Sequence, residues 1–354
     1  MIYNFKQEKE MNRSVMIHLR SKVIIAIIAL SCLCSCTRQL IFEGERDCGV
    51  YHHIRFKYDY NMKFANAFAN EVNSLSLYLF DENNILVQEI YVDDKATLAS
   101  DTFEILLEPA SGNYQMLAWG GMQNETSFDL LPETKIGETT LEEMQVKMHR
   151  DYDDNGKAFV ENDLLPLFHG TLPLTVTEEE GHYHSTISMT KNTNVIRIML
   201  QELSDKEVDA DKFIFEITDK SGLYDWDNSR LEDDTITFKA WSVTTGEADI
   251  EDYETRSNSS ISVALAEHTI GRMKAGESPI LTIRNRENGE LVLRLPIADY
   301  ALLTKGNYNK NMSDQEYLDR QDEYTLTFFL DEGEWMSSVI LINSWRVVIN
   351  EEDI

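Results

Sequence analysis

The sequence predicts an all-β protein made of two successive antiparallel β-sandwiches, and three observations carry that expectation. Apolar and polar residues alternate with a period of two, as in Ile54-Arg55-Phe56-Lys57-Tyr58 and the run Leu75 to Phe80. Turn-forming clusters punctuate the runs, among them Asp81-Glu82-Asn83-Asn84 and Arg286-Glu287-Asn288-Gly289, whose Asn-Gly pair favours positive φ and tight reversal. No regular strand-helix-strand alternation occurs, which argues against a parallel nucleotide-binding sheet and for sandwiches.

Composition limits what such a body does. The 354 residues carry 62 acidic and 32 basic side chains, a formal net charge of −30. Phosphate binding needs a basic surface, so nucleic acid is not the expected partner. With 42% hydrophobic residues the chain is too apolar for a disordered acidic tail, and four cysteines are too few for a small disulfide scaffold.

The first residues read as an export signal. Lys6, Lys9, Arg13, Arg20 and Lys22 precede the apolar run Val23 to Leu30, the basic and apolar regions of a secretory leader, and that run is shorter than the ~20 residues that span a bilayer. It ends in Leu33-Cys34-Ser35-Cys36, which resembles the bacterial lipobox: a branched apolar residue at −3, a small residue at −1, then the cysteine that receives the lipid. Residues 1–35 are therefore expected to be a lipoprotein signal peptide, Cys36 the lipidated residue and 36–53 the lipidated tether. Ala29-Leu30-Ser31-Cys32 is a weaker match, and an ordinary cleaved signal is the plainer alternative. Removing 1–35 leaves 27 basic against 60 acidic residues, a charge of −33. No second apolar run follows, so acyl chains at one end would hold an acidic body to the membrane. Cys48 is expected to be a small buried apolar residue rather than a reactive thiol.

Taken in order, the first domain (54–190) opens with Ile54 to Tyr58, followed by a short amphipathic helix from Asn61 to Asn73 suggested by Phe64, Phe68 and Val72 at i, i+4 and i+8. Leu75 to Phe80 and Ile85 to Val92 form a hairpin, Phe103 to Leu107 is a further strand, and Gly112 to Gly121 leads into a well-buried one. Residues 122–165 are acidic and weakly periodic, so they read as a loop or edge insertion with one helix from Thr140 to Met148. Phe168 to Val176 and His184 to Thr190 close the domain. The second (191–354) contains Asn194 to Leu200, Phe213 to Ile217, Thr235 to Trp241, an acidic loop from Gly246 to Ser260, Ser260 to Ala266, the hairpin Ile280 to Arg284 with Leu291 to Leu295, Tyr324 to Leu330, and Val339 to Val348.

Few residues suggest chemistry. Asp151-Tyr152-Asp153-Asp154-Asn155-Gly156 starts like a calcium loop, but position 12 is Asn162 where a bidentate Glu is needed, so a solvated acidic turn is the simpler reading. His182 and His184 fall on one face of a strand while His52 and His53 point to opposite faces; either pair needs ligand partners that the sequence does not identify. Nucleophile elbows, zinc-protease helices and phosphate loops are absent from the sequence, and pairs such as Asp233-Asp234 reflect acidic composition. The expectation is no enzyme, no catalytic residue, no cofactor and no metal. Trp119, Trp241 and Trp345 are expected in cores, which leaves Trp226 as the exposed candidate for a carbohydrate platform.

Assembled, these residues resemble the FimB-type fimbrial anchor family of Bacteroidales surface lipoproteins over nearly the whole chain after the signal. The resemblance rests on the lipobox cysteine followed by Asp47-Cys48, on Phe56-Lys57-Tyr58-Asp59-Tyr60-Asn61-Met62, on Val72 to Asp81, and on Gly112-Asn113-Tyr114 through Ala118-Trp119-Gly120-Gly121. Later it includes Asp299-Tyr300-Ala301-Leu302-Leu303, Gln315 to Tyr324, Phe328-Phe329-Leu330, Trp335 and Ile342-Asn343-Ser344-Trp345, where Ser344 stands in place of the family's usual Gly. It implies two tandem transthyretin-like β-sandwich domains. It further implies a palmitate-bearing lipoprotein at the cell outer membrane, at the base of a type V pilus, that binds the first fimbrial shaft subunit and limits its assembly. The short acidic stretch after Trp345 is expected to be too short to serve as a long donated strand. A surface glycan-binding lipoprotein or a fimbrial tip adhesin is the alternative reading.

Overall fold

In the computed structural model, residues 49–122, 127–202, 207–251, 258–306, 308–331 and 334–348 are described. Cys36 and Cys48 lie outside them, as does the whole signal segment. Val50–Ile354 forms one compact unit. The all-β expectation holds: the described helices are short and the body is built of sheets.

Two sheets form the first sandwich. Val50–Lys57 is the central strand of a three-stranded sheet between Gly181–Ser188 and Ile105–Leu107, and Gly112–Gly120 is the middle of a five-stranded one that runs Thr190–Lys191, Phe168–Val176, Gly112–Gly120, Leu75–Phe80, Leu86–Val92. Ile54, Phe56 and Ile187 pack against Leu77, Leu79, Met116 and Phe168 to make the smaller core. The five-stranded sheet is apolar on both faces. Tyr78, Phe80, Leu117 and Trp119 point the other way, into the larger core, so Leu75–Phe80 is buried at every position. Ser76 and Tyr78, the polar members of the alternation read from the sequence, are therefore buried as well, as on a strand covered on both faces.

The second sandwich has two six-stranded sheets. One runs Ser242–Glu251, Asn258–Gly271, Thr193–Glu202, Glu323–Asp331, Glu334–Ile342, Trp345–Val348; the other runs Leu291–Pro296, Ile280–Asn285, Phe213–Asp219, Ile236–Lys239, Ala158–Val160, Asp151–Tyr152. Ile196, Ile198, Leu326 and Phe328 from the first face Phe215, Ile217, Phe238 and Leu281 from the second within the larger core. The Asn-Gly hairpin forms as expected, with Gly289 at φ 73°.

Several elements differ from expectation. The 122–165 segment is an edge insertion rather than a loop: Phe128–Leu131 and Gln145–Met148 pair with each other, and Ala158–Val160 pairs in parallel with Ile236–Lys239 so that it and Asp151–Tyr152 form one edge of the second sandwich's sheet. Its helix shrinks to the turn Leu141–Glu143, where the Glu143 carboxylate accepts from the Thr140 N–H. Likewise the helix between the first two strands covers only Phe68–Glu71, and the expected acidic loop Gly246 to Ser260 is strand at both ends, in Ser242–Glu251 and Asn258–Gly271, with 252–257 outside the described residues. Two helices unmarked by the strand reading, Ile297–Leu303 and Asp314–Arg320, follow the hairpin; Ser313 caps the second by accepting from the Glu316 N–H. Among the described residues most pairings are antiparallel, but three are parallel: Val50–Lys57 with Gly181–Ser188, Thr193–Glu202 with Glu323–Asp331, and the Ala158–Val160 pair. Parallel partners need long crossovers, so a local alternation pattern cannot reveal them.

The chain's last expected strand is really a hairpin. Asn343 and Ser344, at φ 47° and 68°, reverse the chain between Glu334–Ile342 and Trp345–Val348. Both values belong to a two-residue turn of the mirror-image type, in which Gly at the second position is favoured. The reversal carries Trp345 to the surface, 58% exposed, which overturns its expected core placement; Trp119 is fully buried as expected.

Candidate functional site

Residue alternation sets the first strand's two faces. His52, Ile54 and Phe56 point into the smaller core, so Tyr51, His53 and Arg55 point outward. In the parallel neighbour, register places Tyr51 opposite His182 and His53 opposite His184. His53 thus meets His182 and His184, distant in sequence, on one outer face, while His52 is buried. Nδ1 of His53 lies 2.6 Å from Glu104 Oε1 and its Nε2 lies 2.9 Å from His182 Nδ1, while the His53 and His184 rings stack at 4.7 Å. Arg55 Nε donates to the other Glu104 oxygen at 3.1 Å. Glu104 is the partner that sequence reading missed; it is one acidic residue among many, and only the pairing of Ile105–Leu107 with the first strand brings it here.

A second feature lies where the first sandwich meets the C-terminal hairpin. Met62 and Phe64 from one side, Thr304, Lys305, Tyr308 and Asn309 from the loop after Ile297–Leu303, and Tyr317, Gln321, Asn343 and Trp345 line a cleft of about 240 Å³. Phe64 is 61% exposed at φ 51°, and Tyr308 is 97% exposed. The Arg320 guanidinium sits 4.2 Å from the Tyr60 ring and 4.9 Å from Phe64, and Met62 N–H donates to the Arg320 carbonyl at 3.0 Å. Three exposed aromatics beside amide groups make a surface able to bind.

Buried polar groups fix how this cleft is held. Arg272 donates twice to Asp319 at 2.7 Å, and Asp319 lies on Asp314–Arg320, the helix that supplies Tyr317 and Arg320. Lys191, at the link between the sandwiches, reaches Asp322 at 2.6 Å and Glu71 at 3.0 Å. Burial lowers the affinity of this ammonium for its proton, but the two carboxylates outweigh burial and raise its pKa. Asn192 and Asn228, both buried, exchange amide hydrogen bonds at 2.6 and 3.2 Å.

The other sequence candidates have structural roles. Asp153 Oδ1 accepts from the N–H groups of Asn155 and Lys157, which keeps its carboxyl low in pKa and commits it to its own turn. Asp233 pairs at 2.6 Å with the buried Arg150, and Asp234 accepts from Tyr152 OH at 3.0 Å. Trp226 is half-buried against the larger core, so it offers no exposed platform; Trp241 is also half-buried. Two histidines that sequence reading left unmarked are deeply buried, His169 against Trp119 and His268, and burial pushes each down to about 4.

The described residues thus form an acidic all-β body with an exposed aromatic cleft. The model of the fimbrillin-A associated anchor proteins Mfa1 and Mfa2 matches residues 45–351, and the chain belongs to that family. The minor fimbrium anchoring subunit Mfa2 of Porphyromonas gingivalis is 23% identical over 312 residues, covering 85% of this chain and 87% of its own. A candidate adhesin of Bacteroides thetaiotaomicron is 35% identical with a TM-score of 0.73, over 85% of this chain and 98% of its own. The solved Mfa2 anchor from Porphyromonas gingivalis shares the fold at a TM-score of 0.62 and 17% identity, over 85% and 99%. The expected fimbrial anchor family is therefore borne out, and with it a pilus-associated place at the cell surface.

Proposed function

We propose that this chain is an outer-membrane lipoprotein, lipidated at Cys36, that anchors a pilus by binding its first shaft subunit and does not itself polymerise. Residues 1–35 are the signal, the chain from Cys36 up to the strand that starts at Val50 is the tether, and two transthyretin-like domains follow that divide near residue 190, with Asp151–Tyr152 and Ala158–Val160 crossing into the second domain's sheet. The observation that carries the reading is the setting of Val50–Lys57: the first strand after the tether is the centre of its sheet, with Ile54 and Phe56 in the core. A pull from the lipid along this strand is shared by its whole parallel pairing with Gly181–Ser188. It is not taken by one hydrogen bond at a time. Trp345–Val348 is the last strand of its sheet among the described residues, beside the cleft of Phe64, Tyr308 and Trp345. An incoming strand can extend such an edge through main-chain hydrogen bonds while its side chains enter the cleft.

The test is to purify the protein from the outer membrane, weigh its N-terminal peptide, and mix the lipid-free body with matured shaft subunits. Acyl chains on Cys36, a monomer alone and a one-to-one complex that Trp345→Ala weakens at least tenfold are expected. Acyl chains on Cys32, an unmodified start, or ladders of self-polymer refute the reading. The cleft's aromatics beside Asn309, Gln321 and Asn343 also favour a second reading, a surface glycan-binding lipoprotein or tip adhesin. Quenching of Trp345 fluorescence by oligosaccharide, with no shaft complex, would select it.

A further inference from the structure

We infer that the outer face of the first strand is a binding site for one divalent transition-metal ion of the zinc class, held by the imidazoles of His53, His182 and His184 and oriented by Glu104. One ligand atom each from His53, Glu104 and His184 lies within 4.8 Å of the others, and His182 joins this group through its Nδ1, 2.9 Å from His53 Nε2. The ring centroids of His53 and its two neighbours are 5.2 and 4.7 Å apart. Two imidazoles sharing a tetrahedral ion at ~2.0–2.1 Å per bond place their centroids about 5 Å apart, so the rings are already near that spacing. The protons agree with this arrangement. A carboxylate only accepts, so the 2.6 Å contact to Glu104 puts a proton on His53 Nδ1 and leaves Nε2 with a free lone pair facing His182 Nδ1. A carboxylate behind a histidine, itself fixed by Arg55, is how proteins orient a metal-binding imidazole. An ion between this nitrogen pair, now 2.9 Å apart, would take the Nδ1 lone pair of His182 with that ring's proton on Nε2, and would join the two strands through the metal.

Binding requires only these residues and does not rest on the anchor reading. Its consequence bears on that reading, since the ion would clip Val50–Lys57 to Gly181–Ser188 across their parallel register. The test is titration of the full chain, purified in detergent, with ZnCl2 by calorimetry and with CoCl2 by absorption. One equivalent bound in the micromolar range or tighter is expected, with the intense visible bands of tetrahedral cobalt and a melting temperature raised by zinc and restored by EDTA. His53→Gln and His184→Gln should each weaken binding at least 100-fold, Glu104→Gln about 10- to 100-fold. Cys48→Ser and His149→Gln should leave it unchanged. His184 is exposed, so its variant reports binding without loss of fold. No saturable binding, or binding that survives His53→Gln and His184→Gln, overturns the inference.

Discussion

Each sandwich begins with a strand that finds a late partner in parallel, yet the two strands are held very differently. Thr193–Glu202 is paired over Thr193–Gln201 on one side and Val195–Glu202 on the other, in the interior of a six-stranded sheet. Val50–Lys57 is paired along its whole length with Gly181–Ser188 but only over His52–Ile54 with Ile105–Leu107. The same topological device therefore yields a permanent member of a broad sheet in one sandwich and a strand held mainly from one side in the other. Under the proposed anchor role this distinction would separate the body from its tether: the second sandwich would stay closed, and the first would receive force through its opening strand. The five-stranded sheet joins them because its two faces serve both cores.

That sharing gives the largest expected effect. Trp119 projects from the first sandwich's sheet into the larger core, so Trp119→Ala should cost about 3–5 kcal/mol and lower the stability of both sandwiches together. Denaturant melts followed by probes in each sandwich check this; loss confined to one of them would break the link. Next comes pH. His169 belongs to the first sandwich and His268 to the second, and burial holds each near 4 against an ordinary 6.5. Between those values the unfolded chain binds protons that the folded chain refuses. Stability should therefore fall as pH drops from 6.5 towards 4, by up to about 3 kcal/mol per histidine, and be insensitive to these groups above 7. Urea midpoints at pH 7 and pH 4.5 measure it, and equal midpoints would remove both histidines from the account.

Smaller effects belong to the exposed C-terminal turn. Trp345→Ala should change stability by under about 0.5 kcal/mol, the opposite of Trp119→Ala, while removing shaft binding. Ser344→Gly should stabilise by about 0.5–1 kcal/mol, because Ser344 holds a φ of 68° that glycine adopts without strain. A melt that moves the other way would show that the turn is not set by this residue.

The same pair of tryptophans shows what the sequence made legible. Alternation found nearly every strand, including Leu75–Phe80 and Phe168–Val176 with their observed boundaries. It failed at Asn343-Ser344, since an Asn-Ser pair is a weaker turn signal than Asn-Gly and the apolar run continues through it. It failed again at Ala158–Val160, whose parallel partner lies far along the chain. For the candidate sites, alternation located the histidines, and their spacing set which faced together. It could not supply Glu104 beside the histidines, or Phe64 and Tyr308 in the cleft, because loops and crossovers rather than local periodicity carry them there.

The anchor claim is tested most directly in cells that express Cys36→Ala in place of the natural chain, with pili counted by electron microscopy on the cells and in the medium. The account predicts full-length pili shed into the medium and few left on the cell surface. Pili that stay attached at normal numbers would contradict it.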